Sequence, residues 1–114
     1  EVEKVVYPFL DSFPQKKLAL KQMKAGGGIV TFLIKGGLDR GRKFLNSLEM
    51  FSHTANLGDT RTIVTHSAST THSKLTDAER EAVGILPGMI RISVGLEHID
   101  DIIAEINQAF AKSK

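Results

Sequence analysis

The run Gly88-Met89-Ile90-Arg91-Ile92-Ser93-Val94-Gly95-Leu96-Glu97 constrains the fold more than any other part of the chain. Strict alternation sets Ile90, Ile92 and Val94 on one face of a strand and Met89, Arg91 and Ser93 on the other. His98-Ile99-Asp100-Asp101 then opens a helix whose Ile99, Ile102, Ile103, Ile106 and Phe110 mark one apolar face. Asp100, Asp101 and Glu105 lie toward its N-terminal part, where negative charge suits the helix dipole. A half-buried strand followed at once by an amphipathic helix requires a sheet with helices laid on it. Charge is placed inside such a strand when it is solvated, paired with an acid, or kept for an anionic ligand. A guanidinium forks onto a carboxylate with two parallel hydrogen bonds, so a small carboxylic acid is the natural guest for Arg91.

The preceding residues supply the rest of the sheet. Residues 3–7 read as a short strand entering a turn at Pro8. Ser12 and Gln15 have capping-box spacing, Pro14 suits a first turn, and a helix is expected to about Lys24, closed by Gly26-Gly27-Gly28. Residues 29–35 are apolar on both faces and predict a central strand. Gly36-Gly37 turns the chain into a helix over about 39–50, striped by Phe44, Leu45, Leu48 and Phe51. Residues 53–57 and 62–66 are shorter strand candidates flanking Gly58-Asp59. Residues 67–75 form a polar loop, and Thr76 with Glu79 caps a short helix. The expected architecture is α+β: a mainly antiparallel sheet with helices packed on one face.

At 114 residues the chain is one domain. It has no cysteine, which excludes disulfides, thiolate metal sites and cysteine nucleophiles. Its formal net charge of +2 is spread along the sequence, apart from Lys16-Lys17, and reads as a solvated surface rather than a nucleic-acid footprint. No apolar run approaches the ~18 residues of a membrane span and no signal-peptide pattern opens the chain, so a cytoplasmic setting is expected. The start inside a strand pattern suits a fragment or an excised domain. His53, His66, His72 and His98 match no metal-ligand spacing and are expected to be surface or structural residues. Gly26 to Gly28 precede a strand rather than a helix, so they read as a turn and not as a phosphate loop.

Five segments, in order, resemble the C-terminal domain of the Cys/Met-metabolism family of pyridoxal-phosphate (PLP) enzymes. They are Tyr7-Pro8 through Ser12-Phe13-Pro14-Gln15 with Gln22-Met23; Gly26-Gly27-Gly28-Ile29-Val30-Thr31-Phe32; Ala55-Asn56-Leu57-Gly58-Asp59; Ser67-Ala68-Ser69-Thr70-Thr71-His72-Ser73; and the Arg91 strand. The resemblance covers essentially the whole chain. It implies the small domain of a fold-type I PLP enzyme, with Arg91 matching the arginine of an Arg-Leu-Ser-Val-Gly motif that binds the substrate α-carboxylate. By spacing alone, an ion pair of Arg91 with Glu97 or Asp59 competes with that role; the resemblance favours the ligand.

The resemblance implies two further substrate-binding segments. Asn56-Leu57-Gly58 stands where many members have Ser-Leu-Gly. A backbone contact to the carboxylate is expected to survive that change, and an amide side chain at this position is expected to be able to reach a polar ester or acyl group, whereas on the residues alone Asn56 is equally a strand-end cap. Residues 67–72 resemble Pro-Ala-Ser-x-Thr-His, with Ser67 replacing the proline. Thr71 is the expected contact at the substrate entrance, against a reading of ordinary turn chemistry. Lys74 does not match the family's Schiff-base lysine, and no residue here matches the ring-stacking aromatic or the acid that pairs with the pyridine nitrogen. PLP is therefore expected on an N-terminal domain outside residues 1–114, with this chain alone binding no PLP and catalysing nothing. The resemblance also implies a homotetramer acting on a small amino-acid substrate, without nucleic-acid or membrane partners.

Residues 56–62 and the Thr-Thr-His wording are closest to the homoserine-ester sulfhydrylase branch, which replaces the acyl group at the γ-carbon with sulfide. Cystathionine γ-synthase and the methionine and cystathionine γ-lyases share the same residues. A free-standing small-molecule binding module is the reading from another class, and a nucleic-acid module rests only on a pI near 9.0.

Overall fold

In a computed structural model, which describes residues 1–55 and 58–114, five strands form one sheet. In chain order the elements are β1 (Val2–Val6), α1 (Lys16–Gln22), β2 (Ile29–Ile34), α2 (Gly37–Asn46), β3 (Ser52–His53), β4 (Ile63–His66), α3 (Asp77–Ala82), β5 (Met89–Ser93) and α4 (Ile99–Lys112). The sheet order is β1-β2-β5-β4-β3, and every pairing is antiparallel except β3 with β4. The α+β expectation therefore holds. β2 is internal as its two apolar faces required, but the middle strand is β5, the one that carries Arg91.

Alternation along β5 divides the sheet. Ile90 and Ile92 are buried together with Phe32 and Ile34 of β2 and Val64 of β4, beneath Phe44 and Leu45 of α2 and Ile102 and Ala109 of α4. Burial of each such isoleucine contributes about 2 kcal/mol. Phe44 stands edge-on to Phe32 at 5.7 Å and tilts against Phe110 at 4.9 Å, joining both helices to the sheet. The opposite face carries Thr31, Thr65 and Arg91 side by side across β2, β4 and β5.

Local chemistry sets the element ends. Gly36 adopts φ 99°, a left-handed turn open to glycine, and starts α2 at Gly37, earlier than the sequence pattern implied. Thr76 and Glu79 form the expected reciprocal capping box on α3. Ser12 and Gln15 form none: α1 begins at Lys16, because residues 7–16 follow successive turns from Tyr7 to Leu10, Leu10 to Phe13 and Phe13 to Lys16. Beyond α2, Phe51 is buried as the stripe required. The helix nevertheless stops at Asn46, and residues 49–51 are not helical.

Of the strand expected over 53–57, residues 56 and 57 lie outside the described residues, and the described strand is Ser52–His53. Its two residues pair in parallel with Ile63 and Val64 of β4. On α4, Ile102 is buried, but Ile99 and Ile103 are exposed. The apolar stripe leans toward β1, where no other helix covers it, and Glu105 takes a buried place that the stripe did not assign.

Candidate functional site

Arg91 leaves the centre of β5 on the face opposite α2 and α4, flanked by Thr31 on β2 and Thr65 on β4. Its Nη2 donates to the Ala55 carbonyl at 3.2 Å. Its Nε is enclosed and has no partner among the described residues. An enclosed, unpaired guanidinium N–H is costly unless a ligand completes it.

The two acids that the sequence offered as partners for Arg91 are engaged elsewhere. Asp59 binds Arg61 with both carboxylate oxygens, at 2.9 Å to the backbone N–H, 3.2 Å to Nε and 3.0 Å to Nη2. The Arg61 side chain, helped by its backbone N–H, holds the Asp59 carboxyl at about 2. Glu97 accepts from the Thr62 N–H at 2.6 Å and from the Thr62 hydroxyl at 2.7 Å. Desolvation pushes the Glu97 carboxyl up, but the bonds from Thr62 outweigh it and keep the group below its usual range. Both carboxylates therefore stay ionised on other partners.

The same bonds shape the wall beside Arg91. The Thr62 hydroxyl accepts from the Gly95 N–H at 2.9 Å, which ties the entry of β4 to the exit of β5. Gly95 has no substitute there: a Cβ would lie 2.4 Å from the Arg61 carbonyl carbon and from the Thr62 nitrogen. At the other end of the same connection, the Thr65 hydroxyl donates to the Thr54 carbonyl at 2.6 Å. Residues 54–62 are thus fastened at both ends against the Arg91 strand.

Of the other expected contacts, Asn56 and Leu57 lie outside the described residues. Thr71 is exposed in the loop after β4, its Oγ1 2.8 Å from His72 Nδ1, and no bond joins it to Arg91 among the described residues. Arg80 holds that loop by donating to the carbonyls of His72 at 3.1 Å and Leu75 at 2.5 Å. The sequence reading missed Thr62 and Thr65, and Glu97, which it offered only as one alternative partner of Arg91, is bound to Thr62. The available signal was two hydroxyls flanking Ile63-Val64, Thr62 just before β4 and Thr65 within it, since a buried hydroxyl requires an acceptor.

Every lysine except Lys16 is exposed, Lys74 included, and Lys16 is tied to Asp11. A Schiff-base lysine needs an enclosed setting that keeps its amine neutral. Among the described residues no group of three or more His, Asp or Glu side chains is placed to hold a metal. His66 is buried with both ring nitrogens engaged, His72 is half-buried, and His53 and His98 are exposed. No helix among the described residues is long and apolar enough to cross a membrane.

Residues 1–111 match the family model described as Cys/Met metabolism PLP-dependent enzyme. The chain belongs to that family. Members of the Cys/Met-metabolism family similar to it include an L-methionine gamma-lyase from Pseudomonas putida, 48% identical over 113 residues that cover 99% of the chain. A second L-methionine gamma-lyase, from Fusobacterium nucleatum subsp. polymorphum, is 46% identical over 98% of the chain. The O-acetyl-L-homoserine sulfhydrylase 1 of Thermus thermophilus is 45% identical over 97%. The chain spans about 28% of the length of these relatives. The family is PLP-dependent.

Proposed function

We propose that this chain is the substrate-carboxylate-binding domain of a PLP-dependent enzyme acting at the γ-carbon of a sulfur amino acid or homoserine ester. One observation carries the reading: Arg91, at the centre of the middle strand, keeps an enclosed N–H without a partner among the described residues, while the nearby acids are bound elsewhere. A carboxylate seated there takes two parallel hydrogen bonds and neutralises the guanidinium. Holding the carboxylate orients the bonds at the substrate Cα, so binding energy is converted into positioning. The cofactor is held outside these residues by an N-terminal domain of the same protein, a reading supported by the small share of the relatives that the chain spans. Assembly into a homotetramer in the cytoplasm is part of the same proposal.

Within this class we favour γ-replacement by a sulfhydrylase, on the sequence wording of residues 56–62 and of Thr70-Thr71-His72. The 48% identity to a methionine gamma-lyase supports γ-elimination as the second reading. Assaying the full-length protein with L-methionine, and separately with O-acetylhomoserine plus sulfide, decides between them. For either activity, Arg91→Lys keeps the charge but loses the planar fork. It is expected to weaken amino-acid binding by about tenfold or more. Steady-state kinetics identical to the parent protein in that variant would remove the clamp assignment.

A further inference from the structure

Thr65 and Arg91 are direct cross-strand partners on the open face, and they bond the carbonyls of two consecutive residues. Thr65 donates to Thr54 at 2.6 Å and Arg91 to Ala55 at 3.2 Å. The two bonds differ in kind. Thr65 is 4% exposed and its hydroxyl bond is short, whereas the bond from Arg91 is long and its guanidinium has donors to spare. The Thr65 bond therefore locates the backbone of residues 54–55, and the guanidinium rests against a wall that is already fixed. Sheet formation does not require a hydroxyl at this position, since valine has the same shape and an equal strand preference.

We propose that Thr65 is a positioning residue for carboxylate binding: by holding the Thr54 carbonyl it keeps the Arg91 guanidinium turned toward the ligand. Without the hydroxyl, the Thr54 carbonyl loses the donor that ties it to β4, and the exposed residues 54 and 55 lose their fixed place beside Arg91. The adjacent guanidinium is the group able to replace that donor. Turning toward the backbone carbonyls takes the Nε edge away from the substrate. The penalty falls on the carboxylate alone, because the rest of the substrate does not meet Arg91. This inference rests on the proposed clamp role of Arg91.

The test uses the full-length enzyme and two inhibitors that differ by the carboxylate, L-norleucine and pentylamine. Thr65→Val is expected to raise the inhibition constant of norleucine by about tenfold and to leave that of pentylamine unchanged. Thr65→Ser restores the parent value. Thr65→Cys, a near-isostere with a weak donor, gives an intermediate loss and replaces the valine variant if that does not accumulate. In an Arg91→Lys background, Thr65→Val adds no further loss for norleucine. If Arg91→Lys weakens norleucine but Thr65→Val does not, or weakens both inhibitors equally, the positioning role is overturned and the clamp stands. If Arg91→Lys itself leaves norleucine binding intact, the clamp reading fails, and the inference fails with it.

Discussion

His66 is fully enclosed at the end of β4, with Nε2 2.6 Å from the Pro87 carbonyl and Nδ1 2.8 Å from the Ser69 hydroxyl. The neutral ring fits both neighbours, donating from Nε2 and accepting at Nδ1. Burial pushes its pKa down, the bond to the Pro87 carbonyl offsets part of that, and the charge of Arg42 adds to the lowering. The unfolded chain takes up this proton near its ordinary value of 6.5 while the folded one does not. The stability contributed by a neutral His66 is therefore complete above 6.5, declines as the pH falls below it, and levels off beneath the folded pKa. An NMR titration of the ring should place the folded midpoint below 6.5; a midpoint above it would remove this source of acid sensitivity. At the residue scale, the strand pattern made Arg91 legible because a charge among alternating apolar residues stands out. Thr65 and Glu97 were not legible, because their importance comes from which backbone groups the fold carries to them.

One buried carboxylate helps join α4 to the chain leaving α2. Glu105 accepts from the Glu49 and Met50 N–H groups at 2.5 and 2.7 Å, and Gln108 donates to its other oxygen at 3.1 Å. Burial raises this carboxyl and the three donors outweigh it, so it stays below its usual range and remains charged. Glu105→Ala leaves two backbone donors without an acceptor, at a cost of about 1–3 kcal/mol, whereas Glu105→Gln keeps an acceptor oxygen and loses less. Amide exchange at Glu49 and Met50 should accelerate in the alanine variant; unchanged protection there would show that water satisfies those groups equally well. Helix periodicity located α4 but not Glu105, since a lone acid near a helix start has an adequate explanation in the dipole. The two capping-box patterns show the same limit. Thr76 to Glu79 is followed by uninterrupted helix, whereas after Ser12 the chain continues through turns until Lys16.

Over the whole molecule, the helix-bearing face is covered unevenly. A cleft of about 190 Å³ opens between β1, β2, β5 and α4, lined by Val2, Val5, Val30, Val94, Ile106 and Phe110. Ile99 and Ile103 of α4 are exposed as well, at 58% and 50%. An apolar strip of this kind promotes association. The 114-residue chain by itself is expected to self-associate in sedimentation experiments, and Ile103→Lys to reduce that tendency. A strictly monomeric parent chain would show that the strip is too small to matter. Strand order was the least legible level: alternation identifies strands but does not say that the last of them is central, which depends on long-range pairing.

That order has a consequence for synthesis. β1 with β2, and β3 with β4, each form a pair from residues already made, but nothing in the sheet joins the two pairs until residues 89–93 enter between them. Contacts between distant parts of a chain form late and slowly. A nascent chain ending before Met89 holds two separate ribbons, each too small to persist in water. The strand that completes the sheet is the one that brings Arg91, so the arginine reaches its place only in the event that makes the domain whole.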